Sequence, residues 1–162
     1  GKTWQLGGIA PHDQVNESTV TELSSGDLML NMRNYDKEED FRKVALSKDG
    51  GNTWSEVYSD TTLLEPICQG SLISHRFSEE GFLAFSNPGN KDKRINMTVR
   101  ISPDDGKTWS VSKTIHEGPS AYSNLISLPD GYLGIFFEAG HERPYEGLAF
   151  KIISPADLNL NE

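Results

Sequence analysis

Short stretches in which apolar and polar residues alternate recur along this chain, and residues that favour turns separate them. The first stretch of each unit is predicted at Val20 to Leu23, Leu72 to Phe77 and Leu125 to Leu128. Each runs into a turn, at Ser24-Ser25-Gly26-Asp27, Ser78-Glu79-Glu80-Gly81 and Pro129-Asp130-Gly131. A second stretch follows each turn, at Leu28 to Met32, Phe82 to Phe85 and Tyr132 to Phe136. Alternation on both sides of a glycine-containing turn predicts antiparallel strand pairs.

The second half of each unit carries a repeated motif. Residues 47–54 and 102–109 share the pattern S-x-D-x-G-x-T-W. Each copy follows a predicted third strand, at Val44 to Leu46 or Met97 to Ile101, and its tryptophan is predicted to open a fourth. The motif therefore joins the last two strands of each unit.

The tryptophans of this motif give the length of the repeat. Trp54 and Trp109 are 55 residues apart, and Trp4 ends a further, incomplete copy 50 residues before Trp54. Four antiparallel strands per repeat of about 50 residues are typical of a β-propeller blade. Helical periodicity is not sustained, and only residues 36–41 offer a short exception. The sequence therefore predicts an all-β chain, a partial β-propeller of about three four-stranded antiparallel blades.

The aspartates at the third position of the motif, Asp49 and Asp104, invite two interpretations. Each can accept backbone N–H bonds across its turn, while the glycine supplies a positive φ and the tryptophan an apolar anchor. A catalytic carboxylate pair is the alternative, but catalysis needs one site whereas this aspartate recurs with the repeat. We therefore expect both aspartates to be structural.

Charge and composition exclude several classes of partner. The 162 residues carry a formal net charge of -9, and such a chain would repel the phosphates of nucleic acids. No apolar run reaches the roughly 20 residues that span a bilayer, and a signal-peptide pattern is not recognised, so we expect no membrane partner. The single cysteine, Cys68, excludes an internal disulfide and a multi-cysteine metal site. The compartment is left open.

A cluster of polar side chains is predicted at the end of the blades opposite the motif turns. Glu17, Gln69 and Tyr122 lie at or near the start of first strands, whereas Arg33 closes a second strand and Arg94 precedes a third. These positions share one end of an antiparallel blade, so we expect an anion-binding cluster. The alternative is that the charged residues are solvated strand ends and the tyrosine is a packed aromatic.

At these residues the chain resembles the exo-α-sialidases (neuraminidases), a family of six-bladed propellers. The S-x-D-x-G-x-T-W copies match the Asp box of that family. Arg94 stands where the family has another arginine of its substrate-binding triad, and Phe137-Glu138 begins a similar closing strand. Four further segments are similar to family motifs in the same order, namely Asn16-Glu17-Ser18, Leu30-Asn31-Met32-Arg33, Cys68-Gln69-Gly70-Ser71 and the segment 118–125 that contains Tyr122.

The resemblance implies hydrolysis of terminal sialic acids from glycoconjugates. Tyr122 would be the catalytic nucleophile and Glu17 its partner base, while Arg33 and Arg94 would bind the substrate carboxylate and Gln69 would lie near the sugar. A neutral nucleophile suits this substrate, because a carboxylate would be repelled by the carboxylate of the sugar, and sialidases are known to use tyrosine. Neither a metal nor an organic cofactor is implied.

The resemblance also implies parts that are not found here. Family members carry an N-terminal half with a first arginine and an aspartate acid/base, so residues 1–162 are expected to form the C-terminal part of a sialidase propeller domain. We expect this chain alone to be inactive, and to associate with itself or with the missing half. The alternative function is that of a non-catalytic Asp-box propeller piece that binds carbohydrate or acts structurally.

Overall fold

The structure is a computed structural model that describes residues 1–77 and 80–158. Antiparallel strands dominate it, and the helical elements of the described residues are two short 3₁₀ turns, at Pro129–Gly131 and Ala156–Leu158. No helix in this part of the chain is long and apolar enough to cross a membrane. The predicted all-β class is confirmed. The strands are β1 (Val15–Glu22), β2 (Leu28–Asn34), β3 (Phe41–Ser47), β4 (Tyr58–Leu64), β5 (Ser71–Phe77), β6 (Glu80–Pro88), β7 (Ile95–Ser102), β8 (Val111–Ser127), β9 (Leu133–Ala139) and β10 (Gly147–Ile153).

The strands form two sheets that contain three blade-like units. Strands β1 to β4 make a four-stranded sheet, and β5 to β10 make a six-stranded sheet in which each strand pairs with the next. The 17-residue strand β8 belongs to two units, because its first part pairs with β7 and its second part, from Ser120, pairs with β9. Two units therefore have four strands, and the third consists of the end of β8 with β9 and β10 among the described residues.

Several strands extend beyond the predicted stretches. Strand β1 begins at Val15 instead of Val20 and so contains Glu17. Strand β8 runs without a break into the stretch predicted to start at Leu125. Both extensions carry polar residues of the site end, where alternation of apolar residues no longer marks the strand.

The segments around the motif turns also differ in detail from the prediction. The tryptophans precede β4 and β8 and do not open them, because the turn continues past them: the Ser55 N–H donates to the Leu46 carbonyl at 2.8 Å. Residues 36–41 contain no helix. Part of the predicted turn at 78–81, namely residues 78 and 79, lies outside the described residues.

Both complete copies of the motif fold as hydrogen-bonded turns. The Asp49 carboxylate accepts hydrogen bonds from Ser47 Oγ at 2.9 Å, from the Thr53 N–H at 2.8 Å and from Thr53 Oγ1 at 2.7 Å. The same three bonds recur around Asp104, at 2.9, 2.8 and 2.8 Å. Bonds from Thr53 and Ser47 lower the pKa of Asp49 to about 2. These contacts support the structural interpretation, because each carboxylate is engaged by its own turn.

The motif turns and the predicted site lie at opposite ends of the sheets. Leu28 on β2 pairs with Ser47 on β3, so the turn that follows Ser47 lies beside the beginning of β2. Arg33 lies near the other end of β2 and pairs with Asn16 on β1. A strand of seven residues spans about 20 Å. We call the two regions the Asp-box end and the site end.

Apolar side chains hold the first sheet against the second. One buried cluster is shared by both sheets and includes Leu63 from β4 together with Leu72 and Phe85 from β5 and β6. A second cluster lies within the six-stranded sheet and extends to Leu158. Because the first cluster joins two blades, it fixes how the strands of the site end approach one another.

Candidate active site

Glu17, Arg33 and Tyr122 meet at the site end. The Tyr122 hydroxyl donates a hydrogen bond to Glu17 Oε1, and Arg33 Nη1 donates to Glu17 Oε2. Arg33 Nη1 also donates to the Tyr122 hydroxyl oxygen at 3.2 Å. The three side chains come from β1, β2 and β8, and 105 residues separate the tyrosine from the glutamate. The structure thus brings three of the five predicted site residues into direct contact.

Bulges lie at both Glu17 and Tyr122. The register of β1 with β2 shifts immediately after Asn16, and Glu17 has a φ of 32°, a region that residues with side chains rarely occupy. The register of β8 with β9 shifts immediately before Ser123. A bulge bends its strand and redirects a side chain, and bulges are common beside active sites. We attribute the meeting of the two side chains to these paired irregularities.

Arg94 lies next to this trio, immediately before β7. Its guanidinium carbon is 5.8 Å from the centre of the Tyr122 ring. Nη2 donates to the Ile67 carbonyl at 2.7 Å, and Nη1 donates to the Tyr145 hydroxyl at 2.5 Å. The second predicted arginine is therefore oriented by two partners and faces the same tyrosine.

Gln69 supports the strand that carries Tyr122. Its side-chain amide donates to the Ser123 carbonyl at 3.0 Å, and its Oε1 accepts from the Ser123 N–H at 3.0 Å. This two-way pairing fixes the backbone directly after the tyrosine. All five residues predicted for the site therefore lie in one cluster.

The contacts shift the ionisation of the three central groups. Burial alone would raise the pKa of Glu17, but hydrogen bonds from Tyr122 and Arg33 outweigh it and lower that pKa. The hydrogen bond to the Glu17 carboxylate, together with burial, raises the pKa of Tyr122. Burial opposes the charge of Arg33, but its bond to Glu17 raises the pKa of Arg33 overall. At neutral pH an ionised carboxylate thus accepts a hydrogen bond from a neutral phenol. This is the arrangement of a general base and the group that it deprotonates.

A cleft of about 300 Å³ opens beside the Tyr122 ring. Glu138 lines this cleft, and its carboxylate accepts a hydrogen bond from the Tyr122 N–H at 3.0 Å. Within the described part of the chain, no group of three or more His, Cys, Asp or Glu residues is placed to hold a metal ion. The other residues that line the cleft are Gln69, Ser123, Asn124, Phe136, Phe137 and Leu148.

Sequence reasoning did not single out four residues that support this cluster. Tyr145 lies on the loop between β9 and β10 and is the hydroxyl partner of Arg94. The carboxylate of Glu146 holds that loop by accepting three backbone N–H groups within it. Arg42 and Glu65 form a fully buried ion pair. No local pattern marks Tyr145, Arg42 and Glu65, because their partners are distant in the sequence, whereas Glu146 has its partners within its own loop.

The sequence and the fold both resemble those of known proteins. Residues 1–135 match the BNR repeat-like domain family. The chain is 37% identical to the sialidase of Micromonospora viridifaciens over 146 residues and 37% identical to the sialidase of Bacteroides fragilis over 147 residues. Among solved structures, the Hadza microbial sialidase Hz136 superimposes on 98% of this chain with a TM-score of 0.82 and 34% identity.

The coverage of these relatives is unequal. Each of the two sequence alignments covers 86% of this chain, but only 22% and 26% of the two relatives. The structural alignment covers 31% of the solved sialidase. The chain therefore spans about a fifth to a third of these proteins. Since the family match covers most of the residues and the fold agrees, the chain belongs to the BNR repeat-like domain family and is a partial sialidase domain with part of a β-propeller fold.

Proposed function

We propose that this chain carries the nucleophile side of an exo-α-sialidase site, and that the whole protein hydrolyses terminal sialic acids from glycoconjugates. The observation that supports this most strongly is the contact of Tyr122 with both Glu17 and Arg33. Residues 1–162 would form the C-terminal part of the propeller domain. An N-terminal half would supply a first arginine and an aspartate acid/base.

Tyr122 is the nucleophile in this proposal. A free phenol has a pKa of about 10 and is a weak nucleophile at neutral pH, so Glu17 takes its proton as the oxygen attacks the anomeric carbon. The glycosidic bond breaks in the same step, and the aspartate acid/base of the N-terminal half protonates the departing oxygen. A neutral nucleophile also avoids repulsion by the carboxylate of the sugar. Hydrolysis of the resulting tyrosyl-glycoside releases the sugar with retained configuration, and the reaction needs neither a metal nor an organic cofactor.

Arg33 and Arg94 bind the substrate carboxylate. A guanidinium stays charged and offers two parallel N–H donors, which match the two oxygens of a carboxylate. Both arginines are held by protein partners, so little ordering remains when the substrate arrives. The bond from Arg33 to the Tyr122 oxygen also stabilises the negative charge that develops there as the proton leaves.

The decisive experiment measures release of the fluorophore from a fluorogenic sialoside by the full-length protein. We expect Tyr122→Phe to lower kcat by about 10³-fold or more, because the nucleophile is lost. Tyr132→Phe is the matched control, since Tyr132 is 40% exposed and Tyr122 is 36% exposed.

Two results would contradict the proposal. Undiminished turnover by Tyr122→Phe would exclude this tyrosine as the nucleophile. Binding of sialic acid without turnover by the unmodified protein would favour a carbohydrate-binding propeller.

A further inference from the structure

Arg42 and Glu65 are buried where the first sheet meets the second. Arg42 is 0% exposed and Glu65 is 2% exposed. Arg42 Nη1 donates to the Glu65 carboxylate and, at 2.7 Å, to the Cys68 carbonyl, while Nε donates to Asn31 Oδ1 at 2.7 Å. The other carboxylate oxygen of Glu65 accepts from the Asn34 N–H at 2.7 Å. The pair therefore ties β3 both to the end of β2 and to the segment that follows β4.

These contacts connect the ion pair to two parts of the site. The N–H that the Glu65 carboxylate holds belongs to the residue directly after Arg33. The carbonyl that Arg42 holds belongs to the residue directly before Gln69. Gln69 in turn pairs with the backbone next to Tyr122. One buried ion pair thus contacts both β2, which carries Arg33, and the segment that contains Gln69, which binds the backbone next to Tyr122.

Residues 65–70 connect β4 to β5 and also hold the second arginine. The Ile67 carbonyl accepts from Arg94 Nη2 at 2.7 Å, and Ile67 has a φ of 51°, which is strained for a branched side chain. At the end of the connector, Gly70 packs so closely on Phe85 that a Cβ atom would lie 2.6 Å from its ring. The ion pair at one end and close packing at the other therefore hold the connector in one shape.

We propose that Arg42 and Glu65 are positioning residues, which set the spacing of Arg33, Arg94 and Tyr122 by holding the connector against the end of β2. The roles of those three residues rest on the proposed function. Neither Arg42 nor Glu65 lines the cleft beside the tyrosine. They act through the backbone and through Gln69, not on a substrate.

Burial of the two charges carries a cost. It raises the pKa of Glu65 and lowers the pKa of Arg42, although each charge favours the ionised form of the other. Replacing a buried ion pair by well-packed apolar side chains is often neutral or stabilising. The pair instead fixes the relative positions of the groups that it binds, because a planar guanidinium donates to several acceptors at fixed angles.

The test compares three variants of the full-length protein in a fluorogenic sialoside assay and a thermal melt. The double variant Arg42→Met/Glu65→Leu removes both buried charges and keeps apolar volume. Glu65→Gln is nearly isosteric and removes one charge. Glu39→Gln is the matched control, because it removes the ion pair that Glu39 forms with Lys43, the neighbour of Arg42 on β3.

We expect the double variant to have a lower Tm than the parent, because Asn31 Oδ1, the Asn34 N–H and the Cys68 carbonyl lose their partners. We also expect it to lose about 10- to 100-fold in kcat/KM, mainly through KM. Glu65→Gln should shift KM in the same direction, and Glu39→Gln should leave both constants unchanged. Unchanged kinetics in a folded double variant would overturn the proposal. If the double variant does not fold, unchanged kinetics in Glu65→Gln would overturn it instead.

Lack of turnover by the unmodified protein would contradict the proposed function but not the positioning role. The Nε–Hε NMR signals of Arg33 and Arg94, assigned with Lys variants, then provide the measurement. We expect both signals to move in Arg42→Met/Glu65→Leu and to stay fixed in Glu39→Gln. Signals that stay fixed in both variants would overturn the positioning role.

Discussion

The Asp-box end and the site end of the sheets are held by contacts of different range. Asp49 is bonded by Ser47 and Thr53, which lie two and four residues away. At the site end, 105 residues separate Tyr122 from Glu17. Local contacts can recur wherever the motif recurs, whereas a long-range contact forms only where distant strands meet. Each Asp-box turn therefore satisfies its own aspartate locally, whereas the site end depends on the assembly of the blades.

Backbone conformation differs between the two ends in the same way. The Asp-box end places positive φ angles largely on glycines, such as Gly50 at 70° and Gly106 at 82°. The site end places them on residues with side chains, including Glu17 at 32°, Ile67 at 51° and Asn96 at 62°. Such conformations carry a steric cost and persist only when neighbouring contacts enforce them. The comparison predicts that loss of one partner will disturb the site end more than the Asp-box end.

The largest expected effect follows from producing residues 1–162 alone. We expect this chain to form β-structure but to show no measurable turnover of a fluorogenic sialoside, because we propose that the general acid lies in the N-terminal half, and loss of a general acid alone costs about 10²- to 10⁴-fold. It should also self-associate, since the last sheet exposes apolar side chains. Light scattering and circular dichroism test these expectations, and robust turnover by a monomer would refute them. The exposed apolar residues are Ile126, Phe136, Leu148, Phe150 and Ile152.

Removing the base is expected to have the next largest effect. Glu17→Gln in the full-length protein should lower kcat/KM by about 10²- to 10⁴-fold, because the amide cannot accept the proton of Tyr122. Glu22→Gln, at the other end of the same strand, is the control and should leave kcat/KM unchanged. Equal kinetics for the two variants would mean that the site end contributes no base.

The pH dependence of the unmodified protein sharpens the same assignment. The pKa of Glu17 lies below its usual value of 4.5, because Tyr122 and Arg33 favour the ionised form. We expect kcat/KM to fall as the pH drops through this lowered pKa. The stability that Glu17 contributes is present above its unfolded pKa and is lost over the same acidic range. An acidic decline that persists unchanged in Glu17→Gln would assign it to another group.

A smaller effect is expected for the arginine beside the tyrosine. Arg94→Lys keeps the charge but loses the planar pair of donors, and one lost charge-assisted hydrogen bond costs about 1.5–3 kcal/mol, or roughly a 10- to 100-fold rise in KM. Steady-state kinetics with a fluorogenic sialoside measure this change. Arg143→Lys, on the exposed loop after β9, is the chemically matched control. A KM unaffected by Arg94→Lys would remove this residue from the proposed carboxylate site.

The smallest effect on catalysis is expected at the Asp-box end. Asp104→Ala removes the three hydrogen bonds that hold its turn, so the Tm should fall while kcat/KM stays unchanged. A thermal melt and the sialoside assay, run on the same preparation, separate the two effects. A catalytic loss comparable to that of Arg94→Lys would show that the two ends are coupled.

The structural role of the motif could be predicted because its chemistry is local. The spacing of serine, aspartate and threonine in residues 47–54 allows the turn to satisfy itself, and the structure contains these bonds. The location of Glu17 and Tyr122 at one end of the blades was also predictable, because strand direction alternates in an antiparallel sheet. The bulges at these two residues were not predictable, because an extra residue in a strand leaves little trace in alternation.

The supporting residues of the site could not be inferred from any local pattern. Arg42 and Glu65 are buried, but on sequence alone charged residues are assigned to the surface. Tyr145 belongs to a polar loop, and its partner Arg94 lies 51 residues away. Whether such a residue is buried, and which distant residue it contacts, depends on how the sheets pack and not on the order of neighbouring residues.

The sequence by itself determined the repeat, the all-β class, the structural motif and the end of the blades at which the five candidate residues lie. Turn chemistry and strand alternation act over a few residues, so they can be read directly from the chain. Only the tertiary structure decided that Tyr122 touches Glu17 and Arg33, and that Arg42 and Glu65 lie buried between the sheets. Those contacts arise from bulges and from packing between blades, whose free energy is shared among residues that are far apart in the sequence.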